Sequence, residues 1–308
     1  MITLGSQLCV VQRLLRRLRG SSHPILATAS DGFTYVVKFN DRLLRPNLLF
    51  NESMGTELYR FFGLDVPPWK PLLVTKEFIQ RSLSPCAGEE EECWMPEPGL
   101  AFGSRFLGGP GVQLLEILPG NSFRRVCNRE GFWLAWLIDV CASHMDNRQA
   151  AFLEFPDRHL WAYFLDHGHL FGGPDGQRGS IYNVFASRYL DRRLYPRTSF
   201  EQLLELRNRL KSIDTGILWQ RIDVLPDGWK TVSALNCFAM SIDRLGDATT
   251  VNRILDEFIE NNRRSLLLDR AAPRSEPGDE VLHPDALRAE HPSHSNARRQ
   301  CAGGLTLS

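Results

Sequence analysis

The sequence contains no run of apolar residues near the ~18 that a membrane-spanning helix needs. It also has no net charge, because 36 basic side chains offset 36 acidic ones. Composition therefore gives no nucleic-acid signature and no broad field for an anionic membrane surface. Cysteines are odd in number and scattered, at 9, 86, 93, 127, 141, 237 and 301. Such a set makes no disulfide framework, and Cys127, Cys141 and Cys237 in apolar or helical surroundings suit buried thiols in a reducing compartment. Cys86 and Cys93 flank four glutamates with no second pair nearby, which is not a zinc-site pattern. No internal repeat is evident. These absences set the expectation of a soluble cytoplasmic protein.

What is present allows a large core. With 308 residues and 43% hydrophobic content, the chain can form one big domain or two lobes. The first 20 residues hold Arg13, Arg16, Arg17 and Arg19 and no acid. Leu4, Leu8, Val11, Leu14, Leu15 and Leu18 fall at helical spacing there, so residues 1–19 are expected as an amphipathic helix with a basic outer face.

Further along, Asp31-Gly32 separates two alternating runs, which predicts a hairpin over 24–39. Apolar residues at 48, 49, 50, 54, 58, 61 and 62 predict a helix closed by Gly63. Val66-Pro67-Pro68 then forces an extended connection into a strand at Leu72-Leu73-Val74. Residues 80–99 are polar, acidic and rich in Pro and Gly, hence a surface loop. A strand resumes over 100–107, and Gly108-Gly109-Pro110-Gly111 has the composition of a hinge. Beyond it, 130–143 suits a buried helix and 152–165 a second hairpin, followed by amphipathic helices over 199–213, 231–245 and 249–268. The fold class expected is α+β and bilobed, a β-rich N-lobe over 20–108 and a helical C-lobe over 109–269 with a cleft between them. Residues 270–308 have the composition of a disordered tail.

Four charged residues stand out in this frame. Lys38 ends the second strand of the hairpin, where it could meet phosphates in a cleft or simply be solvated. Glu52, early in the next helix, could hold that lysine or merely complement the helix dipole. Asp146 follows the buried helix in a short polar stretch, where a buried carboxylate needs a partner or a metal. Arg148 could be that partner. Asp166 ends a strand-like run and meets His167-Gly168, where the chain can turn and aim the carboxylate into the cleft. Before the first strand, Gly20-Ser21-Ser22 would let backbone N–H groups and hydroxyls approach an anion. The order of cation, acid, aspartate and aspartate is the order in which a kinase assembles its Mg-ATP site.

These motifs resemble the N-lobe of HipA-like kinases, bacterial proteins related to the phosphoinositide-kinase and protein-kinase-like folds. The resemblance rests on Gly20-Ser21-Ser22, the run from Asp31 to Phe39, Asn51-Glu52 and Gly63 to Pro67. Phe102-Gly103-Ser104-Arg105, Asp146 in its loop and Leu165-Asp166-His167-Gly168 extend it over about residues 10–260. It implies transfer of the γ-phosphate of ATP to a serine or threonine of a protein. In that scheme Gly20, Ser21, Ser22, Lys38 and Glu52 serve the nucleotide, Asp146 and Arg148 the transfer, and Asp166 the Mg²⁺ ion. The sequence shows no antitoxin-like partner. Gly172 to Arg193 stands where an activation segment belongs, with Ser180, Tyr182 and Ser187 as candidate phosphosites.

One position departs from the pattern. Five residues after the catalytic aspartate such kinases carry a metal-binding asparagine, and here that residue is Ala151. Gln149 and Asn147 are the nearby amides that could replace it. Because metal-assisted charge neutralisation supplies much of phosphoryl transfer, the loss opens a second reading, a nucleotide-binding pseudokinase acting as a regulatory module. A third is a metallohydrolase using His144, Asp146, Asp166, His167 and His169.

Overall fold

The turn at Asp31-Gly32 forms as its sequence predicts. Strand β2 (Ile25–Ala29) pairs antiparallel with β3 (Thr34–Lys38), Ile25 opposite Val37 and Thr28 opposite Thr34. The structure is a computed structural model and describes residues 8–83, 95–109, 112–118, 121–175, 192–196, 198, 200–211 and 214–262. Cys86, Cys93, Pro110, Gly111, Ser180, Tyr182, Ser187, most of the proposed activation segment and the tail lie outside these residues.

Within the stretch expected as an N-terminal helix, the described residues Val11–Arg17 are instead strand β1, paired antiparallel with β2. The pairing is irregular at two places, between Val11 and Arg13 and between Leu14 and Arg16. Each bulge adds a residue to one strand and upsets the period of two. Val11 and Leu14, three apart, both pack on the sheet's core while the arginines between and after them stay exposed. Bulged strand spacing thus imitates helical spacing.

Strands β4 (Trp69–Val74) and β5 (Gly99–Arg105) complete a five-stranded sheet in the order β1-β2-β3-β5-β4. The sheet curls far enough for Val10, just before β1, to bridge Leu73 of β4. Its inner face is a small apolar core including Val37, Phe39, Leu72 and Phe78. Phe78 lies on the short helix α2 (Lys76–Ser82), whose N-cap Thr75 accepts from the Phe78 N–H. The first residues of the loop expected at 80–99 are therefore helix, and Gly99 is already strand; residues 84–94 lie outside the described residues.

Helix α1 (Leu48–Phe61) is buried from Leu48 through Tyr59, polar residues included. Burying Asn51, Glu52, Ser53 and Thr56 is costly unless each is hydrogen-bonded. Ser53 and Thr56 bond back to the carbonyls of Leu49 and Glu52. The other two reach the functional site. The helix ends at Gly63 (φ 76°), whose N–H donates to the Arg60 carbonyl while the Leu64 N–H donates to that of Tyr59. This closure favours glycine at the left-handed position.

A three-stranded antiparallel sheet follows, β6 (Gln113–Leu115), β7 (Gln149–Glu154) and β8 (Leu160–Leu165) in that order. Between β6 and β7 runs the buried helix α3 (Gly131–Cys141). Helices α4 (Phe200–Lys211), α5 (Thr215–Asp223), α6 (Val232–Gly246) and α7 (Ala248–Asn262) complete the chain's larger core with α1 and α3. Strands thus dominate the first part and helices the rest, the α+β plan expected. All described residues belong to one compact unit. Among them no helix is long and apolar enough to cross a membrane.

Candidate functional site

A cleft of about 670 Å³ lies between the five-stranded sheet and the β6-β7-β8 sheet, within the usual range for a small-molecule site. The β1–β2 loop contributes Gly20, Ser21 and Ser22, β3 contributes Lys38 and α1 contributes Glu52. From the other side come Asp146, Gln149, Ala151 and Asp166. Of the residues expected to serve the nucleotide, the transfer and the metal ion, Arg148 and the alternative amide Asn147 do not line this cleft, nor does His144.

Lys38 is the centre of the charge arrangement. Its ammonium donates to Glu52 Oε1 and, at 2.7 Å, to Asp166 Oδ1. Lys38 and Glu52 are buried, whereas the Asp166 side chain is 26% exposed and opens to the cleft. Glu52 also accepts the N–H groups of Gly168 at 2.9 Å and His167 at 3.3 Å. Burial works against the charge on all three residues. For Lys38, the Asp166 and Glu52 carboxylates more than offset it and raise its pKa. For Asp166, the lysine holds the pKa well below the usual carboxylate range. For Glu52, burial and the neighbouring Asp166 push the pKa up, with Lys38 opposing. One cation against two carboxylates leaves the cluster electronegative, a setting suited to a further cation.

Asp166 follows β8 directly and adopts φ 58°. That left-handed conformation is uncommon for a residue with a side chain and is tolerated best by Asp and Asn. It turns the chain so that the carboxylate meets Lys38 on one oxygen and the Gln149 amide on the other, at 2.8 Å. Gln149 and Ala151 alternate on β7 with Ala150 between them, so they share a strand face. Gln149 thus carries the amide that Ala151 lacks, one pleat earlier. The oxygen-rich donors Asp166 and Gln149 match the few protein ligands Mg²⁺ takes when phosphates supply the rest.

Asp146 is 47% exposed and stands between α3 and β7. Its own loop braces it, with Oδ1 accepting the Asn147 N–H at 2.7 Å. His144 donates from Nδ1 to the Asp146 carbonyl in the neutral form, since burial and the nearby Arg148 guanidinium lower its pKa to about 4. Main-chain bonds tie this loop to the Asp166 turn, Met145 N–H to the His169 carbonyl and Phe171 N–H to that of Ala142.

Arg148 is not in the cleft. Its side chain is 1% exposed and bonds Asp139 in α3 twice, at 2.9 and 2.6 Å. Its third nitrogen donates to the Leu165 carbonyl at 2.7 Å, and the Tyr59 hydroxyl donates to Asp139 at 2.6 Å. A guanidinium buried this deeply needs a full set of acceptors, and Asp139 with Leu165 provides them. Arg148 is therefore a brace beneath Asp166, neither a catalytic group nor a partner of Asp146. The metallohydrolase arrangement also fails. His144 is committed to backbone, His167 packs on Tyr59 with ring centroids 4.5 Å apart, and among the described residues no three His, Cys, Asp or Glu side chains could hold a metal.

Sequence reasoning quotes Asn51 only beside Glu52, without a role of its own, and misses Asp139 and Tyr59. Asn51 donates its amide to the carbonyls of Gly168, Leu170 and Gly173 at 2.8–3.0 Å, fastening α1 to the turn after Asp166. The lone charge of Asp139 inside the apolar run of α3 was the available signal.

No protein-family model matches the chain, and no curated protein sequence does. Solved structures do. The proinflammatory kinase CtkA of Helicobacter pylori is similar at 14% identity and a TM-score of 0.51, over 81% of this chain and 96% of that one. A Golgi casein kinase with Mn/ADP bound aligns at 15% identity and a TM-score of 0.49, over 85% of this chain and 76% of that one. The likeness to CtkA shows a protein-kinase-like fold.

Proposed function

We propose that the chain is an ATP-dependent phosphotransferase of the HipA-like kind, moving the γ-phosphoryl group of Mg-ATP to a hydroxyl on a protein serine or threonine. The observation that carries this reading is the Lys38–Glu52–Asp166 cluster closed inside the cleft. Lys38 binds phosphate oxygens, held by Glu52. Gly20-Ser21-Ser22 approaches the phosphates through small residues. Asp146, exposed and fixed by its loop, accepts the proton of the attacking hydroxyl. Asp166 and Gln149 would hold Mg²⁺, which neutralises phosphate charge when bound.

A titration of the protein with ATP, with and without Mg²⁺, tests this alongside Asp166→Ala. Saturable binding that needs both Mg²⁺ and Asp166 supports the site. Absence of binding under either condition sinks it. Ala151 favours one alternative, a nucleotide-binding pseudokinase with a regulatory role. Mg-dependent binding without phosphate release or transfer to any protein would select that alternative.

A further inference from the structure

Several cleft residues have no part in the scheme above, the basic Arg16, Arg17, Arg19, Arg45 and Arg105 among them. Arg45 lies between β3 and α1 and lines the same cleft as Lys38 and Asp166. A tight turn presents it, with the Arg45 N–H donating to the Asp41 carbonyl at 2.8 Å and the Leu44 N–H to Asp41 Oδ1 at 3.1 Å. Its side chain is only 17% exposed. The nearest carboxylate oxygen, Asp41 Oδ2, is 3.9 Å from Nε, too far for a hydrogen bond, and is itself buried with no hydrogen-bond partner. A guanidinium has five N–H donors, and enclosing it without strong acceptors is costly. Its planar fork matches phosphate oxygens two at a time.

The place of Arg45 indicates which phosphate. It sits three residues before Leu48, and a Cβ on Gly168 would fall 2.6 Å from Leu48 Cδ1, so the start of α1 borders the Asp166 turn. The apolar lining residues Phe106, Leu107 and Leu114 suit a base. A nucleotide with its base there would run its phosphates toward Lys38 and Asp166, which line the same cleft as Arg45.

We propose that Arg45 binds the terminal phosphate of the nucleotide and makes the cleft selective for a nucleoside triphosphate over a diphosphate. This rests on the nucleotide-site reading above. Asp41 aims the guanidinium without pairing closely with it, leaving both terminal nitrogens for the ligand.

Calorimetric titration with a non-hydrolysable ATP analogue and with ADP, each with Mg²⁺, tests the proposal in the wild type, Arg45→Ala and Arg45→Gln. The glutamine keeps most of the stem's packing and removes the charge. Expected is a loss of about tenfold or more in affinity for the triphosphate, against less than about twofold for the diphosphate. Variants that keep the wild-type ratio of the two affinities overturn the role of Arg45 and leave the nucleotide site standing. If the wild type binds neither nucleotide, both readings fall together. Melting curves accompany the titrations. If neither variant folds, Arg45 is a structural residue and the proposal falls.

Discussion

Glu52 accepts a hydrogen bond from the Gly168 N–H at 2.9 Å while it holds Lys38. The glutamate of α1 therefore fixes Lys38 and the turn bearing Asp166 at once. Asn51 adds three carbonyl contacts to the same turn. Helix and turn thus form one buried polar unit, and displacing either would strand several buried donors and acceptors.

Gly168→Ala tests how tight this union is. A Cβ there would lie 2.6 Å from Leu48 Cδ1 and 2.7 Å from Glu52 Oε1, closer than any relaxed contact. The substitution is expected to destabilise the fold by about 1–3 kcal/mol and to weaken Mg-nucleotide binding more than its loss of stability explains. Denaturant unfolding and nucleotide titration on the same preparation check both. Unaltered binding would mean the turn can part from Glu52.

The brace beneath the turn makes a separate prediction. Arg148→Ala leaves Asp139 charged and buried without its cation, and removing one partner of such a pair costs about 3–5 kcal/mol. Arg148→Ala and Asp139→Ala should each destabilise strongly, and the double variant by much less than their sum. Urea unfolding of the four proteins measures this. A wild-type unfolding midpoint for Arg148→Ala combined with lost activity would return Arg148 to the chemistry.

Much of this was legible because the local patterns are strong. Asp31-Gly32 with alternating flanks marks the hairpin, and the ordering of Lys38, Glu52, Asp146 and Asp166 marks the cleft. Strand β1 was not legible, because two bulges space Val11 and Leu14 like helix neighbours. Helix α5 escapes for another reason: it is short, and its start is marked only by Asp214, whose side chain caps the Gly216 N–H. Arg148 misleads through proximity in sequence to Asp146. Its true partner, nine residues back, lies on a different element, and only the folded chain brings Tyr59, Asp139 and Leu165 around it.

Away from the cleft, Asp31 should make stability depend on acid pH. Burial opposes its ionisation, but Lys70, Tyr35 and the Phe33 N–H hold its pKa at about 2. A depressed carboxylate stabilises the fold fully above its unfolded value of about 4, and that contribution is lost as pH falls through the folded value. Asp31→Asn should therefore be less stable than the wild type at pH 6, with the gap closing between pH 4 and 2. Thermal melts of both proteins across that range decide it, and a gap that stays constant would rule out the linkage.

Asp146 and Gln149 should separate chemistry from metal binding. Asp146 bonds to nothing in the Lys38 cluster, so Asp146→Asn should bind Mg-ATP like the wild type. It should lose turnover by about 10²–10⁴-fold, the usual worth of a positioned proton acceptor. Gln149 bonds directly to Asp166 Oδ2. Gln149→Ala should instead raise the Mg²⁺ concentration needed for half-maximal ATP binding by about 10-fold or more. The two variants should thus fail in opposite assays, one in phosphate transfer at saturating Mg²⁺ and the other in metal dependence of binding. If Gln149→Ala leaves the Mg²⁺ requirement unchanged, the amide only orients Asp166. Position 151 would then remain without a replacement ligand, and the pseudokinase alternative would gain.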